Sequence, residues 1–179
     1  MSLSADTLNH LQNRLNLNLK VNVLLDYDVC EQTFAISVWE RVNNYCKVEQ
    51  TKEYYAPVDF ILTSLTDPNK KLHLELKSRD AIHEKYDTFM IGTKKIENIK
   101  KNNLIPSLLI WSFNKKSANL EFSVANSIYF IEYHEDFLDL PSYKINGSDV
   151  NYIPKNKTTK TFEKLIEYIE TFFNQSNDC

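Results

Sequence analysis

Asp59, Glu75 and Lys77 are the residues of this chain whose types and spacing could do chemistry. Asp59 lies in the apolar run Ala56-Pro57-Val58-Asp59-Phe60-Ile61-Leu62, and Glu75 and Lys77 lie in the alternating run Lys71-Leu72-His73-Leu74-Glu75-Leu76-Lys77-Ser78-Arg79-Asp80. Thr66-Asp67-Pro68-Asn69-Lys70 between them is turn chemistry, so the two runs read as the strands of a hairpin. Side chains alternate between the faces of a strand, which puts Leu72, Leu74 and Leu76 on one face and His73, Glu75, Lys77 and Arg79 on the other. If the turn centres near Asp67, Asp59 lies across from Glu75. The expected result is two carboxylates and an ammonium on an open face of a sheet whose other face is greasy.

Carboxylates on neighbouring strands, about 5 Å apart, repel each other. A hard divalent cation relieves the repulsion, and Mg²⁺ commonly takes one or two carboxylates, keeps several waters and accepts phosphate oxygens. A lysine two residues beyond the second acid reaches the same place, where it can stabilise negative charge or orient water. The bland alternative is a surface strand of mixed charge that solvates an edge.

Pro57-Val58-Asp59 followed by Glu75-Leu76-Lys77 resembles the signature of the PD-(D/E)XK nuclease superfamily, with Val58 as one extra residue between the proline and the acid. The resemblance spans roughly Glu31 to Phe113. It implies a metal-dependent phosphodiesterase with Asp59 and Glu75 as ligands of Mg²⁺, Mn²⁺ as a substitute, and Lys77 near the attacking water. The backbone carbonyl of Leu76 is a natural further oxygen ligand. The resemblance also implies an acid on the first helix, for which Glu31 is favoured over Glu40, and a basic residue on the helix after the hairpin. Lys95 is favoured there as a phosphate contact, with Lys94 close behind. The implied activity is hydrolysis of phosphodiester bonds in nucleic acid, DNA favoured over RNA. The alternative, from another class, is a nuclease-like fold without catalysis that serves as a nucleic-acid-binding or assembly module.

The elements that must position these residues can be read in order. Residues 4–20 read as a short helix or arm, and Val21–Asp28 as a short strand or extended approach. Glu31–Cys46 reads as the first major helix, its stripe formed by Ala35, Val38, Val42 and Tyr45 with Phe34 beside it, and with Ile36 on the outward side near Glu40. Lys47–Thr51 is a short strand, and Asp80–Asp87 a polar loop that could pass over the site. Tyr86–Ile91 returns as an extended piece. Thr93–Asn102 is a helix with Ile96 and Ile99 inward, and the unbroken apolar stretch in Pro106–Phe113 is a buried central strand. Leu120–Ala125 reads as another strand, Ile128–Tyr133 as an apolar aromatic segment, Glu135–Leu140 as a helical turn, Ser142–Thr159 as a polar loop, and Thr161–Asn174 as an amphipathic helix. The order resembles the αβββαβ core of the same superfamily: an α/β fold with a central mixed β-sheet flanked by helices.

Composition sets the bounds. At 179 residues, 42% hydrophobic and 25% charged, the chain is expected to form one domain, residues 1–179. A net charge of −3 leaves nucleic-acid contact to local basic patches. Two glycines and no GxGxxG or Walker pattern disfavour nucleotide-dependent motors and dehydrogenases. Three cysteines without CxxC spacing disfavour a zinc ribbon or a disulfide framework and suit a reducing cytoplasm. No apolar run approaches the roughly 18 residues of a membrane span. Nucleic acid is the expected partner, no membrane is involved, and a homodimer is among the assemblies left open. Ten tyrosines and ten phenylalanines read as core rather than as base-stacking platforms.

Overall fold

A computed structural model describes residues 26–51, 56–79, 86–102, 104–113 and 128–175. The expected arm at residues 4–20, residues 80–85 of the expected Asp80–Asp87 loop and the strand at Leu120–Ala125 lie outside the described residues.

The first described helix, α1, is Asp26–Val42. It therefore starts before Glu31, and Asp26–Asp28 is helical rather than extended. The helix also stops short of Cys46. The Asn43 side-chain amide donates to the carbonyls of Trp39 and Glu40, competing with continuation of the helix, and the chain turns into strand β1, Cys46–Gln50. Phe34, Ala35, Val38 and Val42 are buried as the stripe predicts; Ile36, expected to face outward, is buried too.

Strands β2, Phe60–Ser64, and β3, Lys71–Arg79, form the hairpin. The turn is held by Asp67, whose side chain accepts the Asn69 N–H at 2.9 Å and whose carbonyl accepts the Lys70 N–H at 3.0 Å. Phe60 pairs with Leu74 and Leu62 with Leu72. One step further in the same register brings Asp59 opposite Glu75, with the Asp59 N–H donating to the Leu74 carbonyl at 3.0 Å.

After β3 come β4, Thr88–Gly92, helix α2, Thr93–Lys101, and β5, Ser107–Phe113. Strand β5 pairs with β3 in parallel, a geometry that needs a crossover connection, and β4 with α2 lies within it. All seven residues of β5 are buried, as its unbroken apolar run demands. Strand β6, Ile128–Glu132, and the short β9, Thr159–Lys160, complete a mixed six-stranded sheet of order β1-β2-β3-β5-β6-β9.

Both faces of this sheet are covered. On one, α1 and the C-terminal helix α3, Phe162–Asn174, pack an aliphatic core that includes Leu72, Leu74 and Leu76. Thr161 caps α3 by accepting the Lys164 N–H at 3.3 Å, and Phe162, Leu165, Ile166, Ile169 and Phe173 are its buried stripe. On the other face, α2 packs together with a second, three-stranded antiparallel sheet in which β4 is joined by two strands from further along the chain.

That second sheet is a correction. The sequence predicts a polar loop over Ser142–Thr159, whereas the segment forms β7, Ser142–Ile145, β8, Ser148–Pro154, a 3₁₀ turn at Lys155–Lys157, and the start of β9. Asn146 and Gly147 make the β7–β8 turn with φ of 49° and 82°, the positive values that Asn-Gly hairpin turns require. Phe89 of β4 and Ile153 of β8 close over Trp111 of β5 and Tyr129 of β6, with Phe89 stacked on Trp111 at 5.2 Å between centroids. The face expected to be open is therefore roofed.

The molecule is an α/β fold with a mixed multi-strand sheet and, among the described residues, three α-helices. No helix among the described residues is long and apolar enough to cross a membrane.

Candidate active site

Glu75 sits at the middle of β3, beside Leu109 of the parallel strand β5, on the face covered by α2. It is 0% exposed. A buried carboxylate must find compensating charge or give up its own. Glu75 Oε2 accepts a hydrogen bond from Lys95 Nζ at 2.9 Å. Its Oε1 lies 2.6 Å from Lys77 Nζ, a close ion pair that is the partner of this buried oxygen. Burial pushes the Glu75 carboxyl above its ordinary range, Asp59 pushes the same way, and Lys77 and Lys95 pull it back.

Asp59 is fixed from both sides. Its carbonyl accepts the Thr51 N–H at 2.9 Å, and its own N–H is held by Leu74. Thr51 Oγ1 donates to the Val58 carbonyl at 2.7 Å. The Asp59 side chain points along the sheet, where Oδ2 accepts the Leu76 N–H at 2.7 Å and Oδ1 lies 3.7 Å from Lys95 Nζ. The Leu76 side chain is in the aliphatic core, so only its backbone belongs to the site.

Lys95 reaches in from the first turn of α2. Ile96 and Ile99 are the buried side of that helix and turn Lys95 toward the sheet, while Lys94 is exposed. The helix start is tied down by Thr93 Oγ1, 2.7 Å from Asn151 Oδ1, and by the buried Asn151, which donates to the Leu140 carbonyl at 2.9 Å. Lys95 Nζ also donates to the Ala56 carbonyl at 3.2 Å. Burial alone would draw its pKa down, but Glu75, Asp59 and Glu31 together raise it above its ordinary value. The sequence predicts Lys95 as a phosphate contact; the structure places its ammonium on the two carboxylates.

Glu31 stands further out. It is half-buried on α1, its Oε2 accepts from Gln50 Nε2 at 3.4 Å, and its charge is felt by Lys95. Glu40, the rival acid, is exposed, and its carbonyl serves the Asn43 turn. The five side chains singled out from the sequence thus divide into a contact quartet, Asp59, Glu75, Lys77 and Lys95, with Glu31 in an outer position. Gln50, Thr51 and the Ala56 carbonyl escape the sequence reading. Only Thr51 carries a signal there, as a β-branched residue ending the strand that flanks Asp59.

Two acids and two lysines leave the quartet electrically neutral. Among the described residues no group of three or more His, Cys, Asp or Glu gathers as a metal cluster. The hard oxygens present, two carboxylates facing each other across β2 and β3, fit the pattern of Mg²⁺ held by one or two acids and completed by water and phosphate. They do not fit zinc, which prefers nitrogen and sulfur. His73, on the same strand, is buried and pairs with Ile61 and Ser107; burial and then Lys71 lower its pKa. No protein-family model and no curated protein matches the chain.

Proposed function

We propose that this chain is a Mg²⁺-dependent nuclease that hydrolyses phosphodiester bonds, in DNA by preference over RNA, with Mn²⁺ able to substitute. The observation that carries the proposal is Glu75: a carboxylate with no exposure, across from a second carboxylate and between two lysines. Such a group is costly to bury, and perturbed, charge-coupled acids concentrate at functional sites. The order α1-β1-β2-β3, a crossover through β4 and α2, then β5 parallel to β3, supports the proposal, because with β4 set apart in the second sheet it is compatible with the αβββαβ order of a restriction-endonuclease-like core.

Asp59, Glu75 and the Leu76 carbonyl would hold Mg²⁺, which when bound supplies Lewis-acid stabilisation of phosphoryl oxygens. The protein's own groups do the rest. The Leu76 N–H fixes the Asp59 carboxylate before substrate arrives, so no reorganisation of that side chain is needed. Lys77, a quarter exposed at its side chain, faces both the buried acid and solvent and has no second carboxylate within ion-pair distance among the described residues. It is placed to stabilise negative charge as water adds to phosphorus, the bond to the leaving oxygen breaks, and that oxygen takes a proton. Glu31, with Gln50, tunes the charge felt at Lys95 from outside.

The test is cleavage of labelled DNA and RNA by the pure protein in Mg²⁺, Mn²⁺, Ca²⁺ and EDTA, beside Asp59→Ala. Cutting is expected in Mg²⁺ and Mn²⁺, little in Ca²⁺, and none in EDTA or with the variant. Full activity in EDTA or with Asp59→Ala would remove the metal mechanism. Binding of nucleic acid in Mg²⁺ without cleavage of either polymer would replace the enzyme by a binding or assembly module.

A further inference from the structure

The two lysines of the quartet are not equivalent. Lys77 contacts one carboxylate oxygen, Glu75 Oε1. Lys95 is surrounded by three oxygens from two stretches of chain: Glu75 Oε2 at 2.9 Å on β3, and the Ala56 carbonyl at 3.2 Å and Asp59 Oδ1 at 3.7 Å on the run that leads into β2. Both carboxylates and a carbonyl converge on a single ammonium. That is the environment of a cation site, filled by a side chain of the protein itself.

We propose that Lys95 is the resident cation of this site, and that a divalent ion must displace it before the site can act, which couples metal binding to the binding of a phosphodiester. The inference rests on the nuclease reading and adds a step of regulation to it. A divalent ion drawn to Asp59 and Glu75 brings a charge of +2 against an ammonium already within 4 Å of both acids. In the low dielectric around a fully buried Glu75 that repulsion is only weakly screened. Lys95 has the means to leave. Its side chain is 30% exposed, and its stem is flexible while its backbone is held in α2. Once displaced, the ammonium has lost its acids and needs an anion, and a phosphate brought in by nucleic acid supplies one. Metal and phosphodiester then favour each other, and by linkage each tightens the other by the same factor.

Calorimetric titration of Ca²⁺ into the full chain tests this without turnover. Wild type, Lys95→Met and Lys95→Arg are compared with and without a short DNA duplex. Without DNA, Lys95→Met should bind Ca²⁺ about tenfold more tightly than wild type, inside the usual range of coupling between sites. Lys95→Arg, which keeps the charge, should stay near wild type. Saturating duplex should tighten Ca²⁺ binding to wild type about fivefold more than it tightens binding to Lys95→Met, where only direct contact of the ion with phosphate remains. Lysine acetylation read by mass spectrometry provides a measurement on wild type alone: Ca²⁺ should increase labelling of Lys95 and leave the exposed Lys94 as it was. Equal Ca²⁺ affinity of wild type and Lys95→Met, with Mg²⁺-dependent cleavage intact, would overturn the resident-cation inference and leave the nuclease reading standing. So would Ca²⁺ binding with no change in Lys95 labelling. Absence of divalent binding to any of the proteins would overturn both.

Discussion

The two faces of strand β3 are both buried, and they are built differently. Leu72, Leu74 and Leu76 face α1 and α3 in an aliphatic core where burial alone stabilises, about 1.5–3 kcal/mol for each fully buried leucine. His73, Glu75 and Lys77 face α2 and the second sheet, where the buried Glu75 is held between two lysines. Well-packed apolar residues in place of buried ion pairs are often neutral or stabilising. The polar face is therefore poorly explained by stability, and the apolar face is fully explained by it. A single strand carries the scaffold on one side and the chemistry on the other.

Substitutions on each face should separate the two roles. The largest effect is expected from Phe60→Ala, which empties a fully buried position on the apolar side and should cost about 3–5 kcal/mol in urea unfolding. The fraction still folded should cut at the wild-type rate; a specific loss of rate there would blur the division of faces. Lys77→Ala should do the reverse, lowering the single-turnover rate by a hundredfold or more, about 3–4 kcal/mol in the barrier, with little change in unfolding. A wild-type rate at saturating substrate would make Lys77 a surface lysine. Thr161→Ala removes the cap of α3, on the scaffold side, and should cost about 1 kcal/mol with no change in metal dependence.

A smaller effect lies in the pH dependence of the metal-free protein. Burial first, then Asp59, holds the Glu75 pKa above its ordinary 4.5. A folded state that keeps its proton longer than the unfolded chain is favoured at low pH. The contribution of Glu75 is thus fully present below about pH 4.5 and is lost as pH rises through the raised folded value. In EDTA, the stability of wild type minus that of Glu75→Gln should fall as pH climbs out of the acid range. A difference that rises over that window would mean that the two lysines outweigh burial.

Much of this was legible in the sequence because it depends on short periods. The alternation of Lys71–Arg79 and the length of the turn before it fix the face of Glu75 and its position across from Asp59. The apolar run of β5 and the stripe of α3 are equally local signals. What covers the site is not local. Strand β8 pairs with β4 from far along the chain, and β7 offers three exposed residues, Ser142, Tyr143 and Lys144, in place of apolar alternation. The available signal was Asn146-Gly147, the dipeptide that most often turns a tight hairpin. The periodicity of α2 turns Lys95 inward beside Ile96 and Ile99, but it does not reveal that the first atoms met are carboxylate oxygens. The bond from Gln50 to Glu31 joins a strand to a helix through two ordinary polar residues, and nothing in their spacing announces it.

The second sheet has a consequence for how the molecule breathes. Strands β3 and β5 lie at the centre of the large sheet, each with neighbours on both sides, whereas β7 is an edge strand whose first three residues are exposed. Amide hydrogens of β3 and β5 should exchange with solvent only through global unfolding, and those of β7 and β8 through a smaller opening of lower free energy. Hydrogen exchange followed by mass spectrometry would resolve the two classes. The floor of the site would then hold its shape through fluctuations that lift part of its roof, and the roof, tied to α2 through Asn151 and Thr93, would set how often the helix that carries Lys95 loosens.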